Sequence, residues 1–250
     1  MTYVNPFEGK TPRQIYDLLT QPELSGGKLP CWPNQTVQTT YTGAYGPQII
    51  QSGLEFLAFL EKDGAFKPGW RGLDYGCGFG RFASLLLAKG GPEQLDLVDA
   101  WSISIENIAK GGFRNKCWTV SELLADTDLE PYAYDLITTF SVFTHFSKKA
   151  FLHNIERLHR ALKTNGKLYF TVRHDEFIPV KYPQLADEIQ NALATEGIWF
   201  KGTPGNLGQE PIFGDTIVST EFMEELGKRF GPTRRLGAIR YQHVWVMDKS

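Results

Sequence analysis

Residues 73–82, LDYGCGFGRF, carry glycine at 76, 78 and 80, directly behind Asp74. An ordered glycine gives up more backbone entropy than any other residue, so three within five positions call for something held close to the main chain. A glycine-rich turn from a strand into a helix does this, because a ligand there can lie against the backbone and the helix amino end. Two ligand classes fit. A dinucleotide is read by GxGxxG, with its diphosphate on the helix terminus. Here the spacing is GxGxG, and Arg81 stands where the third glycine of the dinucleotide pattern would be. A second acid, Asp99, ends the run LDLVD, 19 residues beyond Gly80. At about 20 residues, this architecture puts a carboxylate that accepts from two neighbouring ribose hydroxyls.

For proton transfer, two histidines qualify by position. His145 follows the fourth strand pattern, and His174 follows the fifth, beside Asp175 and Glu176. Imidazole is the side chain whose ordinary pKa suits a base near neutrality. His153 and His159 lie on a long helix and read as surface residues, and His243 reads as structural. Cys31, Cys77 and Cys117 are odd in number and form no CxxC pair, so they are expected to be free thiols in a reducing compartment. No His/Cys/Asp/Glu spacing resembles a metal site, and none is expected.

The elements that must position these residues are legible from periodicity. Thr11-Pro12 starts a helix with Ile15, Leu18 and Leu19 on one side, and Gly46-Pro47 opens another with Ile50, Leu54 and Leu57 on its stripe. Residues 20–47, rich in Pro, Gly, Gln and Thr, are expected to be extended and irregular. From 71 a strand–helix alternation follows: strands near 71–75, LDLVD, CWTV, DLITTF and KLYFTV, and helices after Gly80, near 103–110 and over 148–162 capped by Ser147. Gly90-Gly91-Pro92 stops the first of these helices. Such alternation means a parallel sheet covered on both faces. The rhythm breaks at 173, where a helix near 183–195 leads into a glycine-rich stretch. A helix over 220–230 and two short strands end the chain. The expected organisation is one domain: N-terminal helices and lid (1–69), cofactor-binding core (70–172), substrate-cover insertion (173–217) and a closing segment (218–250).

Composition narrows the function. A net charge of −2 over 250 residues offers no footprint for duplex nucleic acid, and KRFGPTRR, the densest basic stretch, reads as a solvated helix end. The amino terminus has no apolar core of signal-peptide length, and no apolar run reaches a bilayer's span, so a cytoplasmic protein without membrane contact is expected. Oligomeric state is not readable.

DYGCGFG resembles the first motif of the class I S-adenosylmethionine-dependent methyltransferases, (D/E)xGxGxG. LVDAWSISI is similar to their second motif, DLITTFSVFTHFS to their fourth-strand motif in the branch that carries SVFTH, and LHRALKTNGKLYFTV to their leucine-rich helix, glycine turn and fifth strand. YQHVWVMDK resembles their final reversed strand. The resemblance covers 41–172 well, the last 30 residues in part and 173–217 hardly at all. It implies an α/β, Rossmann-like fold with a seven-stranded, mostly parallel sheet, helices on both faces and the last strand reversed near one edge.

S-adenosyl-L-methionine is the cofactor the resemblance implies. Gly76, Gly78 and Gly80, with Tyr75 and Phe79 among them, would let its methionine and ribose portions sit against the main chain. Asp74 would face the ammonium, Asp99 would accept from the ribose hydroxyls, and Ala100 and Trp101 would line the adenine. The third motif departs most from the pattern: VSELLADTD offers Ser121, Glu122 and Asp126 to the adenine amino group, the first two preferred. Phe140 and Ser141 would border the methionine part, and Tyr41 and Gly43 would close over the sulfonium. The activity implied is methylation of a small molecule by in-line displacement, a hydroxyl being the first choice of acceptor, with His145 or His174 as base. Trp32, Tyr182, Trp199, Phe200 and Phe213 would shape the acceptor pocket. The alternatives are an N-methyltransferase acting on a small molecule or protein, and a catalytically silent cofactor-binding protein.

Overall fold

A computed structural model of the chain describes residues 5–90, 94–203 and 211–250. The chain divides into two compact units, Met1–Val120 and Ser121–Ser250. Gly91 and Pro92, expected to end a helix, lie outside the described residues, as does part of the predicted cover segment.

The first unit begins with α1 (Pro12–Thr20), α2 (Pro22–Ser25), α3 (Gln35–Thr42) and α4 (Pro47–Lys62). Thr11 caps α1 through a reciprocal capping box with Gln14, satisfying two amide groups that the helix start leaves without a partner. The expectation of an irregular segment over 20–47 is corrected by α2 and α3. Two local features outweigh the poor helix propensity of QTVQTTYT. The Asn34 side chain accepts from the Val37 amide, and Gly43 closes the helix in the left-handed conformation at φ 69°. Thr39, Thr40 and Thr42 turn their hydroxyls back onto carbonyls one turn earlier, which removes their competition for the backbone. Buried Gln38 anchors α3, accepting from the Tyr16 hydroxyl at 3.1 Å and donating to the Pro33 carbonyl at 2.8 Å. On α4 the buried stripe runs through Ile49, Ile50, Gly53, Phe56, Leu57 and Leu60, and Leu54, expected on it, is half-buried.

β1 (Gly72–Tyr75), α5 (Arg81–Leu86), β2 (Leu95–Asp99), α6 (Ser102–Lys110) and β3 (Cys117–Thr119) complete the unit, with β1–β2 and β2–β3 parallel. β1 and β2 are buried throughout, as parallel strands covered on both faces are.

The second unit contains β4 (Tyr134–Thr139), α7 (Lys148–Ala161), β5 (Leu162–Val172), α8 (Ile178–Lys181), α9 (Ala186–Glu196), β6 (Ile198–Gly202), β7 (Gly214–Val218), α10 (Thr220–Phe230), β8 (Thr233–Ile239) and β9 (Gln242–Asp248). β4 and β5 are parallel, whereas β9 runs antiparallel to β5 and to β8. The sheet order is β3-β2-β1-β4-β5-β9-β8, seven strands with the last one reversed beside the edge strand, and β6-β7 forms a separate two-stranded ribbon. This is the α/β, Rossmann-like fold the motifs implied.

The ribbon was not foreseen. Its strands are short, and Gly202 faces Gly214 across it, so their alternation is easily lost among glycines. Tyr182 and Trp199, expected to shape a pocket, are instead buried in a local core with Phe177, Ile178, Ile189, Leu193 and Ile217. Each such burial contributes about 1.5–3 kcal/mol, so these rings hold the segment together. Trp32 is likewise buried, stacking edge-on against Phe79 at 5.3 Å.

Candidate active site

In the first unit the glycine turn links β1 to α5. Gly76, Gly78 and Gly80 have φ of 73°, 54° and 86°, all in the left-handed region that side chains enter only at a cost. The Gly76 and Cys77 amides both donate to the Val98 carbonyl, tying the turn to β2. What stands near the missing side chains differs from glycine to glycine. A Cβ on Gly78 would come 3.1 Å from the Tyr41 ring. One on Gly80 would overlap Phe113 at 2.3 Å and Ile108 at 2.8 Å. Gly80 therefore serves the packing of α6 against the turn, and its absent side chain makes room for this chain's own residues. The turn is held from behind as well: the Trp32 indole donates to the Ser84 hydroxyl at 2.8 Å, which donates to the Gly80 carbonyl at 2.8 Å.

Asp99 is buried at the end of β2. Its two carboxylate oxygens accept from the Gly78 and Trp101 amides, each at 2.9 Å, and Ser104 adds a side-chain hydrogen bond. Burial raises its pKa even so, against these hydrogen bonds. The Ala100 amide is a further donor, so three amides and one hydroxyl share the roughly four lone-pair sites of the carboxylate.

Ser104, fully buried, also meets the Tyr41 hydroxyl at 2.9 Å. Through it Tyr41 of α3 stands over the turn, 5.8 Å from Phe79 and 6.1 Å from Trp101 between ring centroids. Trp101 is 48% exposed although it is a tryptophan. Gly43 caps α3 with open space around it. Asp74 is buried in β1, as is Tyr75. Arg81, at the first position of α5, bonds the Ser52 hydroxyl, and burial lowers its pKa to about 10 against the pull of Asp74. Cys77 is buried, and burial together with Asp99 and Asp74 pushes its thiol well above the ordinary value, which removes it as a thiolate nucleophile.

In the second unit the loop after Val120 is pinned by side chains that the sequence pattern did not flag. Buried Asn154 of α7 accepts from the Leu124 amide and donates to the Glu122 carbonyl, both at 2.9 Å. Asp128 accepts from the Ser121 and Ala125 amides. Ser121 and Glu122 are exposed, whereas Asp126 is committed to Arg157 and Arg160.

Beyond β4, Phe140 is half-buried and Ser141 adopts φ 65°, a left-handed conformation in a non-glycine residue. A closed ring of hydrogen bonds holds it. The Ser141 amide donates to the Thr171 hydroxyl, Thr171 donates to the Gln242 amide oxygen, and Gln242 donates back to the Ser141 hydroxyl, at 2.8, 2.7 and 2.9 Å. Gln242 and Thr171 lie far from Ser141 in sequence and carry no motif, so only the fold brings them together.

The two candidate bases separate sharply. His145 Nδ1 lies 2.7 Å from the Gly214 carbonyl, which can only accept, so the proton sits on Nδ1 and Nε2 keeps its lone pair. The side chain is 39% exposed. Its pKa is lowered by burial first, then by the charge of Arg173. His174 also donates from Nδ1, to the Val218 carbonyl at 2.7 Å, but its Nε2 accepts from the Trp245 indole at 3.1 Å. With the residue buried and neither nitrogen open, His174 fits a structural role, against the expectation that it could act as a base. His153 and His159 also depart from expectation. Both are half-buried, His153 bonded to the Leu124 carbonyl and His159 beside Phe230. Buried His243 packs edge-on against His174 at 4.6 Å, in keeping with a structural residue. Among the described residues no cluster of three His, Cys, Asp or Glu could hold a metal ion, and no helix is long and apolar enough to cross a membrane.

This sheet order, with a glycine turn after β1 and an acid ending β2, defines a class I methyltransferase whose cofactor is S-adenosylmethionine. A family model described as a methyltransferase domain matches residues 44–209, and the chain belongs to that family. No curated protein matches it. Among solved structures it is similar to a SAM-dependent methyltransferase from Methanosarcina mazei, at 14% identity and a TM-score of 0.55, covering 76% of this chain and 96% of that one. It is also similar to the CurJ carbon methyltransferase, at 16% identity and a TM-score of 0.57, covering 96% and 67%. A third is the 1,6-didemethyltoxoflavin-N1-methyltransferase of Burkholderia thailandensis, with S-adenosylhomocysteine bound, at 13% identity and a TM-score of 0.53, covering 94% and 87%. The residues present fit the cofactor: a bare backbone turn, a buried carboxylate ending β2 and a half-exposed indole beside it.

Proposed function

We propose that this methyltransferase acts on a hydroxyl group of a small molecule, with His145 as the general base. S-adenosylmethionine, when bound, would supply an electrophilic methyl on a sulfonium leaving group, open to in-line displacement by the acceptor oxygen. The chain's own residues orient and exchange protons. The turn 76–80 gives backbone to the methionine and ribose portions, Asp74 faces the ammonium, and Asp99 accepts from the ribose hydroxyls. Ala100 and Trp101 line the adenine, with Ser121 and Glu122 toward its amino group. Phe140 and Ser141 border the methionine part, while Tyr41 and Gly43 cover the sulfonium. A hydroxyl acceptor enters protonated, and its proton passes to His145 Nε2 as the new O–C bond forms.

The observation that carries the reading is the fixed tautomer of His145, with its second nitrogen bonded to none of the described residues and the ring part-exposed. The test is a methyl-transfer screen over matched hydroxyl and amine acceptors, with His145→Ala alongside. Turnover on the hydroxyl acceptor should fall about 10²–10⁴-fold in the variant, with S-adenosylmethionine affinity unchanged. Because the His145 pKa is lowered, kcat/KM should hold as the pH drops below 6.5 and decline only at more acidic values. Unchanged turnover in His145→Ala, or transfer to amines alone, would overturn the proposal.

A further inference from the structure

Beside His145 the charges do not balance. Asp215 of β7 is the carboxylate at the centre, and it accepts from Arg173 at 2.8 Å, from Lys181 and from the Tyr182 hydroxyl. Lys201 lies directly opposite Asp215 in the β6–β7 register, and directly paired residues project from the same face of a ribbon. Lys181 and Lys201 both stand over the Tyr182 ring, at 5.5 and 5.4 Å from its centre. Arg173, nearly buried, also donates to the Thr144 carbonyl and lies 4.5 Å over the Phe177 ring. Three cations thus gather around one carboxylate. Glu188, on the same subdomain, accepts from the neutral Trp199 indole and keeps its charge. Among the described residues, Asp215 is the one carboxylate bonded to the cluster, against its three cations, in a chain whose net charge is −2.

Cations crowded this way repel one another, and one carboxylate offsets only part of that repulsion. Asp215 shows how strong the field is: burial alone would raise its pKa, yet Lys181, Tyr182 and Arg173 hold it at about 2. Arg173 and Lys181 also act on His145, each lowering its pKa, so the cluster and the imidazole lie within electrostatic reach. His145 Nδ1 is 3.9 Å from Asp215 Oδ1. Lys181 is half-exposed and Lys201 exposed, so both ammonium groups can meet a ligand from solvent.

We infer that the acceptor carries an anionic group, a carboxylate or a phosphate, seated on Lys181, Lys201 and Arg173 beside His145. This deepens the reading given above and rests on it for the word acceptor. An anion there would offset the cationic charge that Asp215 leaves. It would also relieve the cationic field on His145 and so strengthen the base when the acceptor is bound.

The experiment uses the full chain saturated with S-adenosylhomocysteine. Calorimetric titration with benzoate, phenyl phosphate and benzamide separates a carboxylate, a phosphate and a neutral isostere. One anion should bind with 1:1 stoichiometry at least tenfold tighter than benzamide. Its affinity should fall tenfold or more in the double variant Lys181→Gln, Lys201→Gln, whose affinity for S-adenosylhomocysteine is unchanged. Whichever anion binds tighter identifies the group. Benzamide binding as well as both anions, no binding by any probe, or an affinity indifferent to the two lysines would overturn the inference. Failure here is separable from failure of the proposed function. Neutral phenols methylated through His145, with neither anion bound, would leave the base and remove the anion site. Lysine-dependent anion binding, with turnover unchanged in His145→Ala, would do the reverse.

Discussion

The glycine turn at 76–80 and the β6–β7 ribbon solve opposite problems. At the turn the main chain itself is the working surface: the amides of Gly78 and Trp101 set the Asp99 carboxylate, and side chains are pared away. At the ribbon the work falls to side-chain charge, three cations and a carboxylate beside an imidazole, and the backbone is only the frame. A backbone surface suits a ligand that is the same in every turnover. A charge cluster can be re-specified by single substitutions, which suits an acceptor that differs between enzymes sharing one fold.

The comparison breaks first at its two tight glycines. A Cβ on Gly214 would fall 2.0 Å from the Lys201 carbonyl oxygen, a backbone atom with little freedom to move. On Gly80 it would meet the Phe113 ring, and φ adds left-handed strain. Both Gly214→Ala and Gly80→Ala should cost about 2–5 kcal/mol in urea denaturation, Gly214→Ala the more. A loss under 1 kcal/mol in either would show that its neighbours yield.

Next is Asp99→Ala, which removes a charged acceptor from the donor side alone. Calorimetry should find S-adenosylmethionine weakened by about 2–4 kcal/mol, or thirtyfold and more, while benzoate and phenyl phosphate affinities stay as they were. Donor binding that survived would displace Asp99 from its role.

The histidine pair sharpens the contrast between chemistry and support. His174→Ala leaves the Trp245 indole and the Val218 carbonyl without their partner, and should lower stability by about 1–3 kcal/mol. His145→Ala frees the Gly214 carbonyl alone and removes a part-exposed ring, so it should cost about 1 kcal/mol or less and act chiefly on turnover. A reversal of these two patterns would exchange the roles assigned to the rings.

Acid should act on the second unit through the same rings. Burial, then His174 and Arg235, lower the His243 pKa to about 4, against Glu176. His174 and His145 are lowered too. Below the unfolded value of 6.5 the unfolded chain takes up protons that the folded imidazoles refuse. Stability therefore falls as the pH drops from about 6.5 to 4, and the His243 contribution levels off below that. His243→Phe should flatten this slope, removing about 1–2 kcal/mol of its span. The smallest effect is expected at Asn34→Ala, which unties the start of α3 for about 1 kcal/mol and loosens the placement of Tyr41.

Much of the first region was legible because its signals are local. Glycines behind Asp74, an acid 19 residues on and strands alternating with helices each follow from backbone geometry within a few residues. Where local rules compete, the reading failed: QTVQTTYT looked irregular until the Asn34 cap, the Gly43 stop and buried Gln38 were seen acting together. The β6–β7 ribbon was hardly legible. IWFKG and GDTIV carry the aromatic and β-branched residues that strands favour, but pairing across a glycine-rich gap hides the signal.

Residue types and spacing alone carried the alternating α/β class and the glycine turn, because each is set by backbone geometry over a few residues, and the motifs' resemblance to a family carried the cofactor. The choice between His145 and His174 was made by long-range contacts, with Gly214 for one and with Val218 and Trp245 for the other. The ring that fixes Ser141, and the cation cluster around Asp215, likewise join residues dozens of positions apart. Which nitrogen is bonded, and which charges gather, depend on distances that no interval along the chain encodes.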